Sequence, residues 1–536
     1  LGSIKSNIGH TQSAAGAAGV IKMVLAMQHG LMPKTLHANQ PTDQVDWSGG
    51  TVSLLAAARP WPHTGRPRRA GVSAFGISGT NAHVILEQAP DGDSAPSERI
   101  SPSGVDPLPC VVSARGQAAL RGQARRLRAH LDGRAGDSLE DLAYSLATTR
   151  AALPHRAVVL AADRDQLLRG LDALADDTAG PNLVRGVARE GRSAFLFPGQ
   201  GSQRPRMGQQ LCERFPVFAQ ALEEVCDQLD VHLDRPLREI LFAGDGSPEA
   251  DLLHQTLFAQ TGLFAVEVAL SRLLGAWGLR PDYLLGHSVG ELAAAYVAGV
   301  LSLEDACALV AARGRLMQGL PPGGLMIAVQ ASEQEMLPVL AGREHQVSLA
   351  AVNGPQAVVV SGTEDAVLDV ADHWQRNGRK ARRLLVSHAF HSPQMDAMLA
   401  EFRTVAAAMT YAPPRVPIVS TLTGAVISAE ELCSADYWVR QVRRSVRFFD
   451  GVRTLLANRV TTFLELGPAG VLTAMGRDCL AADDCAPSVV TDDPAPSFVA
   501  MLRADRDEVP ALTSALAHVH AGGSSGSSGS GVDWAA

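Results

Sequence analysis

From about residue 192 onward, the sequence alternates between short apolar runs typical of strands and longer runs typical of helices. The strand-like runs lie in SAFLFPGQGSQ (193–203), DYLLGHSVGELAAAYVAG (282–299) and TTFLELGPAG (461–470), and a long helical stretch through residue 279 separates the first two. Such alternation favours an α/β fold built on a parallel sheet. Reactive side chains are then expected at the carboxyl ends of the strands.

Residues 324–386 interrupt this alternation with an order of their own. Their runs predict strand, helix, strand, strand, helix and strand, which is the βαββαβ order of a ferredoxin-like unit. We therefore predict a ferredoxin-like subdomain inserted into a larger domain that spans 191–485.

Two regions precede this domain and one follows it. Residues 1–90 end in the strand-like NAHVILEQ, after which the polar run APDGDSAPSERISPSGVDP indicates a linker. Residues 91–190 contain the strand-like runs PCVVSA and HRAVVLAA with two helical patterns, and they predict a small α/β domain. Residues 486–536 include a Gly/Ser tract that reads as a flexible linker.

Composition excludes several classes of protein. The formal charge is 47 − 55 = −8 over 536 residues, with no basic tract, so nucleic acid is not an expected partner. No apolar run is long enough to predict a membrane span, and no signal peptide is visible. The seven cysteines are odd in number and form no CxxC pair, so we expect reduced thiols, a cytoplasmic location and no metal site. Because the first residue is not Met, we expect the chain to begin inside a larger polypeptide.

The stretch Gly286-His287-Ser288-Val289-Gly290 matches G-x-S-x-G, in which a sharp turn between a strand and a helix exposes the serine hydroxyl. A second match, at 522–526, lies in the Gly/Ser tract and carries no weight. Only the first match follows an apolar strand and opens a helix. Ser288 is therefore the candidate nucleophile, against the alternative of an unreactive tight turn.

A reactive serine needs donors for the oxyanion that forms on its substrate. The run FPGQGSQ offers Gln200, flanked by glycines after an apolar strand. A plain glycine-rich loop is the alternative interpretation. No phosphate-binding G-x-x-x-x-G-K-[ST] loop occurs, which disfavours nucleotide hydrolysis.

The position of Arg313 helps to distinguish between two kinds of enzyme. Ser302 is typical of a helix start and Pro321 of a helix end, so residues 303–318 predict one helix whose apolar stripe includes Arg313 but not Arg315. A guanidinium that faces the interior needs a partner. It either forms a buried ion pair with an acidic residue or clamps a substrate carboxylate. An esterase would use an apolar acyl pocket, whereas Ser, His and an interior Arg suit an acyl group that carries its own carboxylate.

The chain resembles the acyltransferase domains of modular type I polyketide synthases, which are related to malonyl-CoA:acyl carrier protein transacylases. The segments that carry the resemblance occur in family order and are FPGQGSQ, GHSVGE, ARGRLMQ, AAVNGPQAVVVSG, SHAFHSPQM and FLELGPAGVL. The resemblance implies an α/β-hydrolase-like core. It implies Ser288 as the acylated nucleophile, His391 as general base and acid, and Arg313 as the carboxylate clamp.

The same resemblance assigns supporting roles. It implies an oxyanion hole from the backbone N–H groups of Gln200 and Val289. The family orients its histidine with backbone carbonyls, and the resemblance places Gln441 and Asn353 in this role.

The stretch SHAFHSPQ (387–394) contains two histidines, and the resemblance makes the second, His391, the catalytic one. His388 is then structural or shapes the pocket. Phe390 gauges the substrate, because relatives that load methylmalonyl units resemble YASH at these positions, whereas HAFH resembles domains that load malonyl units. A phenyl ring fills the space of an α-methyl group, although one methyl discriminates by only about 1–3 kcal/mol. Val289 and the segment 254–267 also resemble the malonyl type.

The amino-terminal residues resemble the end of a thiolase-like ketosynthase. KSNIGHTQSAAGAAG (5–19) matches the segment that supplies Lys5 and His10, and FGISGTNAHVILE (75–87) matches the closing strands. No cysteine precedes Cys110, so we expect no ketosynthase activity from this chain and treat Lys5 and His10 as relics. Residues 91–190 then correspond to the linker domain between ketosynthase and acyltransferase.

These features predict ping-pong transfer of a malonyl unit through an acyl-serine to the phosphopantetheine thiol of an acyl carrier protein. The expected partners are malonyl-CoA, the carrier protein and neighbouring synthase domains, with no metal or redox cofactor. The alternatives are a methylmalonyl-specific or relaxed acyltransferase, a hydrolase, and a silent docking scaffold.

Overall fold

The computed structural model describes residues 1–89, 107–133, 136–480, 495–523 and 532–534. The chain divides into two compact units, Leu1–Gly104 and Val105–Ala536. The predicted boundaries at residues 90 and 485, and most of the Gly/Ser tract, lie outside the described residues.

The first unit is small and buries little. Its elements are α1 (Lys5–Ile8), α2 (Ala15–Gln28), β1 (Leu31–Met32), β2 (Arg59–Pro60), β3 (Arg69–Phe75) and β4 (Asn81–Glu87). Strands β3 and β4 pair antiparallel, from Arg69 opposite Glu87 to Phe75 opposite Asn81. Among the described residues of this unit, the buried hydrophobic side chains are those of Ala26 and Met27. Several large apolar side chains consequently stay exposed.

The second unit begins with a three-stranded antiparallel sheet, in the order β5-β6-β7, and three helices. Its elements are β5 (Leu108–Ala114), α3 (Gln117–Asp132), α4 (Leu139–Thr148), β6 (His155–Ala161), α5 (Arg164–Ala175) and β7 (Leu183–Val187). The small α/β domain predicted for this region is confirmed.

A five-stranded sheet forms the centre of the second unit. Its strand order is β14-β9-β8-β15-β16, and all four pairings are parallel. The elements of its first half are β8 (Arg192–Phe197), α6 (Gln209–Arg214), α7 (Pro216–Asp230), α8 (Leu237–Leu241), α9 (Pro248–Leu252), α10 (Thr256–Ala276), β9 (Tyr283–Gly286), α11 (Gly290–Val297) and α12 (Leu303–Gln318). The predicted parallel α/β core is confirmed.

The inserted subdomain is ferredoxin-like, as predicted. Its elements are β10 (Leu325–Val329), α13 (Glu333–Leu340), β11 (Val347–Gly354), β12 (Ala357–Gly362), α14 (Glu364–Arg376) and β13 (Ala381–Arg383). The antiparallel strand order β11-β12-β10-β13 is that of a βαββαβ unit. The apolar faces of its sheet and helices form a core of their own.

The chain then returns to the parallel sheet. The remaining elements are a 3₁₀ turn (Pro393–Met398), α15 (Leu399–Ala408), β14 (Ile418–Val419), α16 (Ala429–Leu432), α17 (Ala435–Arg443), α18 (Phe448–Ala457), β15 (Val460–Glu465), α19 (Val471–Leu480), β16 (Ser497–Ala500) and α20 (Glu508–Gly522). Helix α20 packs against the three-stranded sheet, where Ala517 and Ala521 meet Val158 and Val184.

Two helices position the site. Helix α10 is the one described helix that is long and apolar enough to cross a membrane, but 89% of its most apolar window is buried in the protein, as in a core helix. Helix α12 spans the predicted residues 303–318, and Ser302 Oγ caps it by accepting the N–H of Asp305 at 3.0 Å. Contacts between these two helices bring their polar side chains together inside the apolar core.

Candidate active site

Ser288 lies in a strained turn between β9 and α11. Its φ angle is +54°, in the left-handed region that a serine seldom adopts. A Cβ atom at Gly286 would come within 2.2 Å of the Glu291 nitrogen, and one at Gly290 within 2.2 Å of the Phe197 oxygen. Both glycines are therefore required for the turn, as in a nucleophile elbow.

His391 contacts the serine directly. The distance between Ser288 Oγ and His391 Nε2 is 2.8 Å, so the hydroxyl can donate to the imidazole. His391 Nδ1 lies 2.8 Å from the carbonyl oxygen of Arg444. An N–H at Nδ1 donates to that carbonyl, which leaves Nε2 free to accept a proton.

This contact corrects one prediction. The carbonyl that orients His391 belongs to Arg444, not to Gln441 or Asn353. Gln441 is one helical turn too early, and its Nε2 instead donates to the Ser288 carbonyl at 2.6 Å. Asn353, at the end of β11, has Oδ1 3.0 Å from His287 Nε2. Both residues hold the turn around the serine rather than the histidine.

The surroundings of His391 keep it neutral. Its side chain is buried, and burial together with the positive charge of Arg313 lowers its pKa from 6.5 to about 3. A neutral imidazole is the form that can take the proton of Ser288. The contact with Ser288 and the neutral state of His391 are both what a general base requires.

Arg313 has the geometry of an anion clamp. Its side chain is 2% exposed. Nη1 donates to Gln260 Oε1 at 2.7 Å and Nη2 donates to Ser288 Oγ at 3.1 Å, whereas Nε has no hydrogen-bond partner among the described residues. No described acidic side chain forms an ion pair with it. Burial lowers its pKa to about 9, so the guanidinium remains charged at neutral pH. Of the two alternatives, the buried ion pair is not formed within the described part of the chain.

The loop after β8 lies against the elbow. A Cβ atom at Gly199 would come within 2.9 Å of the His287 oxygen and 3.5 Å of Ser288 Cβ. The backbone N–H groups of Gln200 and Val289 donate to no group within the described residues. Two free donors beside a nucleophile are what an oxyanion hole requires.

His388 and Phe390 occupy the same segment as His391. His388 Nε2 lies 3.1 Å from the Leu320 oxygen and Nδ1 lies 3.0 Å from Ser387 Oγ, so both ring nitrogens are engaged away from Ser288. Phe390 is buried, with its ring centroid 6.2 Å from that of His388. His388 thus ties the segment to the end of α12.

Sequence reasoning did not single out Gln260, which holds Arg313. Gln260 lies on α10, is 1% exposed and also donates from Nε2 to Met317 Sδ at 3.2 Å. A glutamine within the apolar run TLFAQTGLFAVE is the signal that could have identified it.

The remaining candidate residues belong to the first unit. Lys5 and His10 are both exposed, and His10 Nδ1 accepts the N–H of Gln12 at 3.1 Å. Across the described ranges, no group of three or more His, Cys, Asp or Glu side chains could hold a metal ion.

Comparison with protein families assigns most of the chain. Residues 194–525 match the acyl transferase domain, residues 41–160 match the ketoacyl-synthetase C-terminal extension, and residues 1–39 match the C-terminal domain of beta-ketoacyl synthases. The ketosynthase fragment predicted at the amino terminus is confirmed.

Proteins with similar sequences are polyketide synthases as well. Spectinabilin polyketide synthase system protein NorB of Streptomyces orinoci is 60% identical over 495 residues, which are 91% of this chain and 23% of that protein. The first relatives that the chain matches are all much longer, and it spans 7–24% of their length.

Solved structures show the same architecture. The acyltransferase domain from the second module of the salinomycin polyketide synthase is 48% identical, with a TM-score of 0.65 over 79% of this chain and 94% of that one. Malonyl-CoA:acyl carrier protein transacylase from Xanthomonas oryzae pv. oryzae is 31% identical, with a TM-score of 0.50 over 55% of this chain and 93% of that one.

Proposed function

The chain belongs to the acyl transferase domain family of polyketide synthases, and on that premise we propose that this acyltransferase moves a malonyl unit from malonyl-CoA to an acyl carrier protein. The burial and the contacts of Arg313 are the observation that supports this proposal most directly. Its buried guanidinium has no acidic partner among the described residues and donates to Ser288 Oγ at 3.1 Å. A carboxylate bound there places its own acyl group beside the nucleophile.

In the first half-reaction, Ser288 Oγ attacks the thioester carbonyl while His391 Nε2 takes its proton. The N–H groups of Gln200 and Val289 stabilise the oxyanion. The C–S bond then breaks, the proton passes from His391 to the departing thiolate, and coenzyme A leaves with an acyl-serine in place.

In the second half-reaction, the phosphopantetheine thiol of the carrier protein occupies the place of coenzyme A. His391 Nε2 takes the thiol proton, the sulfur attacks the acyl-serine carbonyl, and the proton returns to Ser288 Oγ as the ester bond breaks. The malonyl group leaves as a new thioester. This order is a ping-pong mechanism in which one base serves both halves.

Preference for malonyl over methylmalonyl rests on Phe390. This buried side chain directly precedes His391 in the chain. Its ring occupies volume that a branched acyl group would need, and a single methyl gives discrimination of about 10- to 200-fold at most. A relaxed enzyme that also accepts methylmalonyl-CoA is the second candidate.

Location and further partners are part of the proposal. Five cysteines form no disulfide with any described residue, which supports a reducing cytoplasm; they are Cys110, Cys212, Cys226, Cys307 and Cys433. Neighbouring ketosynthase domains are proposed as partners because the amino-terminal residues match ketosynthase families.

The test is intact-protein mass spectrometry after the protein meets malonyl-CoA and methylmalonyl-CoA together. We expect a malonyl adduct that is absent from Ser288→Ala. Arg313→Ala should lose the malonyl adduct yet still react with acetyl-CoA, which has no free carboxylate. Arg315→Ala changes an exposed arginine on the same helix and should behave as wild type.

Each alternative predicts a different result. A methylmalonyl adduct would keep the mechanism and overturn the pocket assignment. No adduct from either thioester would favour a docking scaffold. Rapid loss of the adduct to water, unchanged by carrier protein, would indicate a hydrolase.

A further inference from the structure

A buried group of polar side chains lies directly beneath Ser288. We call it the elbow cluster, and its members come from α11, from the segment after β14 and from α17. They are Glu291, Ser420, Thr421, Tyr437 and Gln441, and none is more than 4% exposed. The acyl transfer steps described above use none of these side chains.

The elbow cluster holds the backbone on both sides of the nucleophile. Thr421 Oγ1 lies 2.9 Å from the carbonyl oxygen of Gly286, and Gln441 Nε2 donates to the carbonyl oxygen of Ser288 at 2.6 Å. Because Ser288 has a φ angle of +54°, the turn depends on such outside contacts to keep its shape.

Glu291 joins these two contacts. Its Oε2 lies 2.8 Å from Thr421 Oγ1 and 3.5 Å from Gln441 Nε2, and its Oε1 accepts the hydroxyl of Tyr437. Ser420 Oγ, 2.6 Å from the Tyr437 oxygen, accepts the N–H of Leu422 and so can donate to that oxygen. The Glu291 carboxyl therefore stands at the centre of the cluster.

Hydrogen counting shows that the protonation state of Glu291 changes the elbow. Thr421 has one hydroxyl hydrogen and two acceptors within reach, Gly286 O and Glu291 Oε2. When Glu291 is ionised, the two acceptors compete for that hydrogen. When Glu291 is protonated, it donates to Thr421, and Thr421 donates to Gly286.

The charge of Glu291 also reaches the reacting groups. Burial raises its pKa to about 6, although hydrogen bonds from Tyr437, Thr421 and Gln441 oppose that shift. The carboxylate in turn raises the pKa of Arg313 against the larger effect of burial. Among the described residues, Tyr437 from α17 and Arg313 from α12 are titratable or charged groups that interact with Glu291.

The chemistry gives this negative charge a use. When His391 takes the proton of Ser288, a new cation forms in a buried site, next to an Arg313 whose own charge the substrate carboxylate offsets. A buried cation is costly to form, and a nearby carboxylate reduces that cost. No described acidic side chain bonds either His391 or Arg313 directly.

We propose that Glu291 is a positioning residue for acyl transfer, which shares the hydrogen bonds of Thr421 and Gln441 that hold the carbonyls on either side of Ser288 and, when ionised, offsets the positive charge that forms at His391. The inference rests on the proposed function for the identity of the acyl group, but not for the role of Ser288 as nucleophile.

The proposal makes a prediction about pH that His391 cannot account for. The pKa of His391 is lowered to about 3, so it remains neutral throughout mildly acidic pH. A fall in the acylation rate as the pH drops through about 6 then follows from protonation of Glu291.

The experiment measures the rate at which malonyl-CoA acylates Ser288, by rapid quench and mass spectrometry, between about pH 5 and about pH 8. Wild type should lose rate towards the acid end. Glu291→Gln should lack that dependence and react about tenfold more slowly at the alkaline end, mainly through kcat. Glu304→Gln changes an exposed glutamate on α12 and should match wild type. An unchanged acid limb in Glu291→Gln, or a wild-type rate at high pH, would overturn the proposal.

Two further measurements distinguish a failure of this proposal from a wrong assignment of malonyl-CoA as substrate. They also distinguish it from misfolding of Glu291→Gln. Acetylation of Ser288 by p-nitrophenyl acetate needs no carboxylate grip, so it reports the elbow even if malonyl-CoA proves not to be the substrate. Thr421→Val should slow this acetylation and Thr421→Ser should restore it, and this pair decides the matter if Glu291→Gln does not fold. Equal acetylation rates in all variants would contradict a positioning role.

Discussion

Gln260 Oε1 accepts a hydrogen bond from Arg313 Nη1 at 2.7 Å, and this bond directs the remaining donors of the guanidinium towards Ser288. Both side chains are buried and lie on facing helices, α10 and α12. The proposed clamp for a substrate carboxylate would therefore depend on a neutral side chain from a second helix.

Replacement of Gln260 should weaken this clamp. Gln260→Leu removes a hydrogen bond to a charged group, which contributes about 1.5–3 kcal/mol, so kcat/KM for malonyl-CoA should fall at least about tenfold. Acetyl-CoA should be affected much less. Gln220→Leu, on an exposed face of α7, is the matched control. Equal losses with both thioesters would show that Gln260 serves folding rather than the clamp.

Phe390 should control the size of the acyl group. Phe390→Ser opens space beside His391, and the ratio of malonyl to methylmalonyl acylation should shift towards methylmalonyl by about tenfold, the effect of one methyl group. Competition between the two thioesters, read by adduct mass, measures this ratio. An unchanged ratio with intact activity would place the selectivity elsewhere.

His520 should make the fold sensitive to acid. Burial lowers its pKa from 6.5 to about 4, and its Nδ1 accepts the Trp534 indole N–H at 3.1 Å. In the unfolded chain His520 binds a proton at a higher pH than in the folded protein. The contribution of neutral His520 to the free energy of unfolding is therefore present above about pH 6.5 and is lost as the pH falls towards 4. The loss should reach about 2 kcal/mol near pH 5.

Urea unfolding at several pH values measures this loss. His520→Gln should reduce the dependence on pH, whereas His345→Gln, at an exposed position, should leave it unchanged. Identical acid dependence in wild type and His520→Gln would contradict the assignment.

Glu267 should destabilise the protein at alkaline pH. Its carboxyl is buried on α10, neither oxygen has a hydrogen-bond partner among the described residues, and burial raises its pKa well above 4.5. Because the folded pKa is raised, the stability that the protonated carboxyl allows is lost as the pH rises above the unfolded value. Glu267→Met should raise the Tm by roughly 2 °C or more near pH 8, and by less near pH 4.5. A lower Tm at both pH values would show that the carboxyl has a stabilising role.

The first unit should associate. Phe75, Ile77 and Ile85 are 76%, 110% and 71% exposed on or beside the sheet formed by β3 and β4. Exposed apolar edges of this kind favour association. Light scattering should find a larger number of chains per particle for the full chain than for a chain that begins at Val105, or for Phe75→Ser/Ile77→Ser/Ile85→Ser. Monomers of all three proteins at the same concentration would contradict this.

Local pattern was sufficient for much of the fold. Alternating apolar runs predicted the parallel sheet, and the βαββαβ order predicted the ferredoxin-like insert. Both predictions were possible because the hydrophobic periodicity of a strand or a helix is visible within a short stretch of sequence. The helix 303–318 followed from its cap and its apolar stripe. That stripe also placed Arg313 in the interior before any partner was known.

Contacts between distant segments could not be read in this way. The family resemblance placed the carbonyl that orients His391 at Gln441 or Asn353, whereas in the structure His391 contacts the carbonyl of Arg444. Backbone carbonyls carry no sequence signal of their own. Gln260 was missed for a related reason: an isolated glutamine in an apolar helix shows that a partner exists but not which one.

By itself, the sequence determined that this protein has a strand-turn-helix serine, a second histidine in SHAFHSPQ and an interior arginine, since each of these depends on residues within one or two turns of chain. Only the tertiary structure decided that the three side chains meet. Their approach requires β9, α12 and the segment after the ferredoxin-like subdomain, which are up to 103 residues apart, to pack around one point. It also decided what surrounds that point, because the burial and charge that set each pKa belong to the folded arrangement and not to any segment alone.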